Sequence, residues 1–345
     1  MNIVYIYRKS LATNMFKIIF NTLLGIVLIF IWSRFVNLEE IFHTISKANF
    51  YFLVPIFICM FLSPFIRALR LKVFLSEIKN IPLKDLTFLN GAAILLNFLI
   101  PIRAGEVLKG VYLNNKYGLN IGKAVIWIFL DRFVDLLLVL ALVPVFLFVV
   151  PTSLSINFIV VITTILIFSL ILTYLAIFQV NFAKVLINLV RHIFIVSSIK
   201  IYFERFSHFI LAAFSILRRH PKDLSVMVIL TILAYMADAG VWYFTFLSLG
   251  VEAEYVKMYL GQLLSALTYL VPAAPGYVGS AEASGALILS GVFGMGVNLA
   301  SSMIVLFHIL TAIFTLIFGL ISLFNLKIDL GLVFNKVFKQ KPNQL

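Results

Sequence analysis

Asp131, Arg132 and Asp135 stand together in FLDRFVDLLLVL, inside an apolar run. Carboxylates four residues apart share one helix face. An ionisable group inside such a run is costly unless it meets a partner, a cavity or an ion. The group reads either as a structural ion-pair knot or as a substrate site. Arg132, about 100° around the helix, is placed to pair elsewhere. Asp238, in LAYMADAGVWYF, is a lone carboxylate near the centre of a second run. It reads as a functional group or as a hydrogen-bonded contact between helices. His308, in VLFHILTAIF, reads as a packing histidine rather than a ligand.

Two further stretches interrupt apolar sequence with helix breakers, 99-LIPIRAGEVLKG-110 and 272-PAAPGYVGSAE-282. Irregular backbone at membrane depth is tolerated only where protein or water surrounds it, so each break implies a polar cavity. Pro101, Pro272 and Pro275 end one helical segment, and Gly105, Gly276 and Gly279 allow tight turns and close backbone approach. The next segment then starts with unpaired N–H groups, a seat for an anion such as phosphate. Arg103 stands beside the first such start and has the forked geometry for phosphate oxygens. Glu106 and Glu282 fall in the first turns. They read either as neutralising those helix starts or as contacts to a cationic head group, a proton or a coupling ion. Asn90 and Asn97 share a face, as do Gln262, Ser265 and Tyr269; they line a cavity or tie helices together.

The elements that carry these residues are transmembrane helices. The 345-residue chain is 63% hydrophobic and only 12% charged, against about a quarter charged in soluble domains. That excludes a soluble globular protein. The net charge of +13 fits Lys and Arg gathered in cytoplasmic loops. A nucleic-acid groove would need stacking aromatics beside charge on a solvated surface, and here the aromatics lie in apolar runs. The single cysteine, Cys59, makes neither an internal disulfide nor a thiolate metal site. Arg8, Lys9 and Lys17 precede an apolar run with no small-residue cleavage site, so the N-terminal run is read as a retained span. No H-E-x-x-H, G-x-S-x-G or Walker pattern occurs, and no metal or cofactor is expected.

Spans are predicted at 16–36, 50–70, 123–150, 156–178, 224–249 and 298–325, with a loop at 37–49. The basic cluster Arg67–Lys84, the segment 181–222 and the C-terminal lysines are read as cytoplasmic. Side-counting then forces 85–117 to leave and return on the cytoplasmic side and 255–296 to do so on the outer side. The expected fold is therefore all-α, a polytopic helical membrane protein with two oppositely oriented re-entrant hairpins in an inverted repeat. The competing reading makes each hairpin helix a full span, which puts basic clusters on both sides. The expected organisation is a first membrane half 1–180 and a basic amphipathic cytoplasmic helix 181–222. A second membrane half 223–326 and a basic cytoplasmic tail 327–345 follow. The helix at 181–222, with Val185, Leu189 and Ile193 and then Phe206, Phe209, Ile210, Ala213, Phe214 and Leu217 at helical spacing, is read as lying on anionic lipids or as an ordinary linker.

N-x-L-I-P-x-R-A-G-E, D-R-x-x-D and P-x-x-P-G-x-x-G-x-x-E, in that order, resemble the lysylphosphatidylglycerol synthase transmembrane-region family, over about 15–325. The resemblance implies a flippase-like domain, as in the membrane half of multiple peptide resistance factors, with both breaks facing a central cavity. The positions it carries over are Arg103, Gly105, Glu106, Arg132, Asp135, Gly276, Gly279 and Glu282. Asp131 replaces a frequent Glu, and His308 a common Arg. No aminoacyl-transferase segment follows, so aminoacylation is not expected of this chain.

The expected function is translocation of a phospholipid or polyprenyl-phosphate-type lipid across the cytoplasmic membrane, with both termini cytoplasmic. Asn97, Asp131 and Asp238 join the carried-over positions as site residues. A coupling proton or ion and a homodimer are further expected partners; nucleic acid is not. The alternatives are an intramembrane lipid-modifying enzyme using Glu106, Asp131 and Asp135, or a non-transporting partner of a lipid synthase.

Overall fold

A computed structural model describes residues 19, 22–76, 78–100, 104–193, 197–219, 221–268 and 274–328. These residues form helices and no strand. In chain order they are α1 (Thr22–Ser33), α2 (Leu38–Ser46), α3 (Leu53–Leu75), α4 (Leu83–Leu99), α5 (Ala104–Tyr117), α6 (Ile121–Val149) and α7 (Ile156–Phe178). Then come α8 (Val180–Ile193), α9 (Ser197–Arg219), α10 (Pro221–Ser248), α11 (Tyr255–Thr268), α12 (Ser280–Ala286) and α13 (Val297–Leu326). Short 3-10 turns occupy Phe50–Phe52 and Pro275–Tyr277, and α12 runs on into a π-helical stretch, Leu287–Val292. The α3, α6, α7, α10 and α13 segments are long and apolar enough to cross a membrane, and α1 with α2 adds a sixth candidate, bent by 89°. The molecule is a multi-pass helical membrane protein.

The helices start and stop where local chemistry directs. Asn37 caps α2 by accepting from Glu40 N–H at 3.2 Å, and Ser155 caps α7 by accepting from Phe158 N–H at 3.4 Å. Long runs of Leu, Ile and Phe give the spans no single apolar face, as expected of helices surrounded by lipid and protein together. α7 is the least buried of these five spans: only 11% of its apolar window is buried. α3 packs along α10 at the centre, and α4 packs along α13. Gly91 faces Phe318 and Ser322 there, and Gly319 faces Leu95, with no room for a Cβ. Small residues let membrane helices approach this closely.

The segment 37–49, expected as a loop, contains α2. Asn37 supplies an N-cap, and Ile41 is buried, so a short amphipathic turn of helix is favoured over coil. The expected single helix at 181–222 is two helices. On α9, Ala213, Phe214 and Leu217 are buried in the protein core against α6 and α10, whereas Val185 and Leu189 of α8 are exposed. The C-terminal part of the α9 stripe therefore serves the bundle, while Phe206 is exposed. Arg67 and Arg70, expected in a cytoplasmic loop, lie within α3, which runs on to Leu75. The N-terminal charges Arg8, Lys9 and Lys17 fall outside the described residues, as do Pro101, Arg103, Tyr269, Pro272 and the tail beyond Ile328.

Candidate functional site

Three of the long helices present charges to one another. On α6, Asp131 and Asp135 share a face, as their spacing predicts. That face meets Arg67 and Arg70, three residues apart on α3. Arg70 donates through Nε to Asp131 Oδ1 at 2.8 Å, and through Nη1 to Asp135 Oδ1 and Thr231 Oγ1, each at 2.6 Å. Arg67 donates to both oxygens of Asp135 at 3.2 and 3.3 Å, and through Nη2 to Asp238 Oδ2 on α10 at 2.9 Å. The Arg67 guanidinium also lies 5.2 Å from the Tyr235 ring centre, a cation–π arrangement. Asp238 is thus the partner of an arginine.

A second limb reaches the first broken helix pair. Arg132 donates through Nε to Glu106 Oε1 at 3.2 Å, and its Nη1 stands 3.5 Å from Asp135. Lys109 Nζ is 3.6 Å from Glu106 Oε2. Four cations (Arg67, Arg70, Lys109, Arg132) thus face four carboxylates (Glu106, Asp131, Asp135, Asp238), and the described network is formally neutral. Neutrality lets charge persist between apolar helices, where any unpaired member would be expensive.

The network is graded in exposure. Arg70 and Asp131 are sealed, with side chains 0% and 5% exposed, whereas Asp238 is 27% and Arg132 42% exposed. The base of the cluster is therefore closed off by protein, and its rim is the more exposed part.

The first break is held from inside. Asn97, near the end of α4, accepts from Gly105 N–H at 2.8 Å, taking one of the free donors of the α5 start. Gly105 lies so close to α4 that a Cβ there would stand 2.1 Å from the Ala93 carbonyl oxygen. Asn90 donates to the Pro64 carbonyl at 3.1 Å and ties α4 to α3. The second break is built on Gly276 (φ 69°), Tyr277 (φ 58°) and Gly279 (φ 82°). Glu282 Oε2 accepts from Gly279 N–H at 2.7 Å, a capping interaction at the α12 start. His308 of α13 is bonded to Glu282 Oε1 at 2.5 Å and to the Gly276 carbonyl at 2.7 Å. The two breaks meet: Phe98 at the end of α4 packs on Tyr277 and His308, with ring centres 6.2 and 6.4 Å apart.

Of the site residues expected from sequence, Glu106, Asp131, Arg132, Asp135 and Asp238 fall into one network. Gly276, Gly279 and Glu282 form a separate knot around His308, and Asn97 with Gly105 forms the first break. Arg103 lies outside the described residues. Arg67, Arg70, Lys109 and Thr231 were not anticipated. Charge balance could have found the arginines, since three carboxylates inside spans require cations at similar depth.

Outside the spans, Asp85 closes the base of α4 and α5. It accepts from Lys116 Nζ at 2.5 Å, from the Tyr112 hydroxyl at 3.2 Å, and from the Tyr117 hydroxyl. Burial alone would raise this carboxyl, but Lys116 and the two hydroxyls outweigh it and hold it below its usual range. A depressed carboxyl contributes stability that is complete above the ordinary value of about 4 and lost as pH falls through the lower folded value. The ends of α4 and α5 should therefore resist hydrogen exchange from neutral pH down to roughly pH 4 and loosen below it. Asp85→Asn should remove that acid step, and an unchanged step in the variant would exclude Asp85 as its source.

A helical bundle crossing the membrane several times, with a neutral ion-pair network inside it and two broken helices meeting beside an α13 histidine, defines an integral membrane protein with a charged interior. Residues 18–319 match the family described as the lysylphosphatidylglycerol synthase TM region, and the chain belongs to that family. It is also similar to a UPF0104 membrane protein of Archaeoglobus fulgidus, 25% identical over 311 residues that cover 87% of this chain and 94% of that protein.

Proposed function

We propose that this protein translocates a lipid with a phosphate-bearing head group across the cytoplasmic membrane. The observation that carries the reading is the graded network: sealed at Arg70 and Asp131, half open at Arg132 and Asp238. A phosphate exchanging for Glu106 at Arg132 keeps the guanidinium paired, and a positive group exchanging for Arg67 keeps Asp238 paired. A head group can then enter without leaving a charge bare between apolar helices. The lipid tails stay in the bilayer.

Two features support a re-entrant, inverted-repeat plan. α4 has 17 residues, and α5 and α11 have 14 each; at 1.5 Å per residue these are about 25 and 21 Å, short of a hydrocarbon core of about 30 Å. The order of neighbours also repeats. α3 packs on α4, α4 on α5 and α5 on α6; α10 packs on α11, α11 on α12 and α12 on α13; and α3 and α10 pack on each other. The positive-inside pattern of the sequence supports cytoplasmic termini. An enzyme using Glu106, Asp131 and Asp135 as acid–base groups has less support, because arginine guanidinium groups bond all three carboxylates.

The test is a reconstituted vesicle assay with fluorescent phosphatidylglycerol and, separately, a labelled polyprenyl phosphate. Wild type should move at least one of them. Arg132→Ala should slow that movement about tenfold or more, the usual scale for removing a charged partner, while the protein still purifies as a folded species. Wild-type rates in Arg132→Ala would remove Arg132 from the path. No movement of either lipid by wild type would end the reading.

A further inference from the structure

The hydrogen bonds around His308 fix a proton count. Its Nδ1 faces Glu282 Oε1 at 2.5 Å, and its Nε2 faces the Gly276 carbonyl oxygen at 2.7 Å. Glu282 Oε2 already accepts from Gly279 N–H. A neutral imidazole carries one N–H and one lone pair. With an ionised Glu282, a neutral His308 would point a lone pair at an oxygen lone pair on one side. The observed contacts therefore require one more proton than an ionised carboxylate and a neutral imidazole hold. It sits either on His308, making both ring nitrogens donors, or on Glu282, whose O–H then donates to Nδ1.

We infer that Glu282 and His308 form a one-proton binding site, and that this proton latches the second break. If the proton leaves to water, one of the two bonds must open. Either the Gly276 carbonyl or the carboxylate that caps α12 is released. The first belongs to, and the second hydrogen-bonds, the stretch that carries the positive φ angles of Gly276, Tyr277 and Gly279. Tyr277 and His308 both pack on Phe98, so the end of α4 moves with the latch. The pair is nearly closed, with side chains 13% and 10% exposed, so bulk water does not stand in for a lost bond.

Several charges on the helices packed against α13 have partners of their own, and Glu39 and His43 of α2 are exposed. On α3 and α10, Arg67, Arg70 and Asp238 bond within the ion-pair network. On α4, Lys84 and Asp85 lie in the first turn, far along the helix from Phe98. On α2, Glu40 accepts from Asn298 at the start of α13. The titratable groups at the latch are Glu282, His308 and the neighbouring Tyr277 phenol. That the proton is the coupling ion of transport rests on the translocation reading above; that the site holds one proton does not.

The two parts separate experimentally. In the full chain in lipid nanodiscs, His43→Gln, His192→Gln, His208→Gln and His220→Gln leave His308 as the sole histidine. Nitrogen-15 NMR then counts its ring protons, and infrared spectroscopy reads the Glu282 carboxyl, assigned by its loss in Glu282→Gln. At neutral pH the expected result is a doubly protonated ring with a carboxylate, or a singly protonated ring with a carboxylic acid. A singly protonated ring with a carboxylate overturns the site. In Glu282→Gln the amide N–H donates to Nδ1 and its carbonyl accepts from Gly279, so the latch closes without the extra proton. His308 should then carry a single ring proton at neutral pH; a doubly protonated ring in that variant also overturns the site.

For coupling, a gradient of one pH unit across vesicles of phosphatidylglycerol and phosphatidylethanolamine should shift the steady-state distribution of fluorescent phosphatidylglycerol by up to about tenfold for one proton per lipid, and should have no effect in Glu282→Gln. Lipid movement indifferent to the gradient in wild type overturns the coupling. No movement by wild type overturns the coupling together with the translocation reading, and the spectroscopic count still decides the proton site.

Discussion

Arg70→Met should leave the protein barely able to fold. Arg70 is fully buried and supplies bonds to Asp131, Asp135 and Thr231 from α6 and α10 at once. Methionine fills much of the space but provides no charge, so Asp131 is left sealed against apolar helices without a cation. Breaking a buried pair in this way costs about 3–5 kcal/mol, a large share of a typical folding free energy of about 5–15 kcal/mol. The companion variant separates the charge from the packing. Arg70→Met with Asp131→Leu removes both members and should recover most of the loss, since apolar replacement of a whole buried pair is often neutral. Thermal unfolding of detergent-purified protein reads both. If Arg70→Met melts like wild type, the network does not hold α3, α6 and α10 together. If the double variant melts as low as the single one, the cost lies in packing.

The contrast between Arg70 and its neighbours shows what the sequence could and could not disclose. Asp131 and Asp135 were legible because their four-residue spacing inside an apolar run has few explanations. Arg67 and Arg70 carry the opposite charge, yet they come near the end of a run that leads into Lys72 and Lys79. Basic residues at a span's end are ordinarily interfacial, and nothing local separates the two paired arginines from the lysines that follow. The distinction depends on α6 and α10 being adjacent, which is tertiary information. Glu282 behaved the same way. Its place in a helix first turn was readable from P-x-x-P-G-x-x-G-x-x-E, but its partner is 26 residues away on α13. The broad all-helical, multi-pass plan was legible because apolar length alone sets it. The break between α8 and α9 was not, since one continuous helical periodicity fits both a single helix on lipid and two helices, one of them packed on protein.

Gly279→Ala should cost more than any other single-methyl addition at a positive-φ glycine here, and Gly118→Ala supplies the comparison. Both glycines have positive φ, 82° and 70°. A side chain in the left-handed region costs about 1–2 kcal/mol at either place. At Gly118 that is the whole effect, because nothing lies within 4 Å of the added Cβ. At Gly279 the Cβ would stand 2.1 Å from the Gly25 carbonyl oxygen and 3.1 Å from Gly25 Cα. These are backbone atoms of α1, and no flexible side chain can swing away. Forcing them apart adds about 1–3 kcal/mol, for a total of roughly 2–5 kcal/mol. The displacement also pulls on the Gly279 N–H that Glu282 accepts, so the α12 start should lose hydrogen-exchange protection in Gly279→Ala and keep it in Gly118→Ala. Equal melting losses in the two variants would mean that α1 does not press on the second break. A greater loss in Gly279→Ala with unchanged α12 protection would place the strain in α1 alone and detach it from the Glu282 cap.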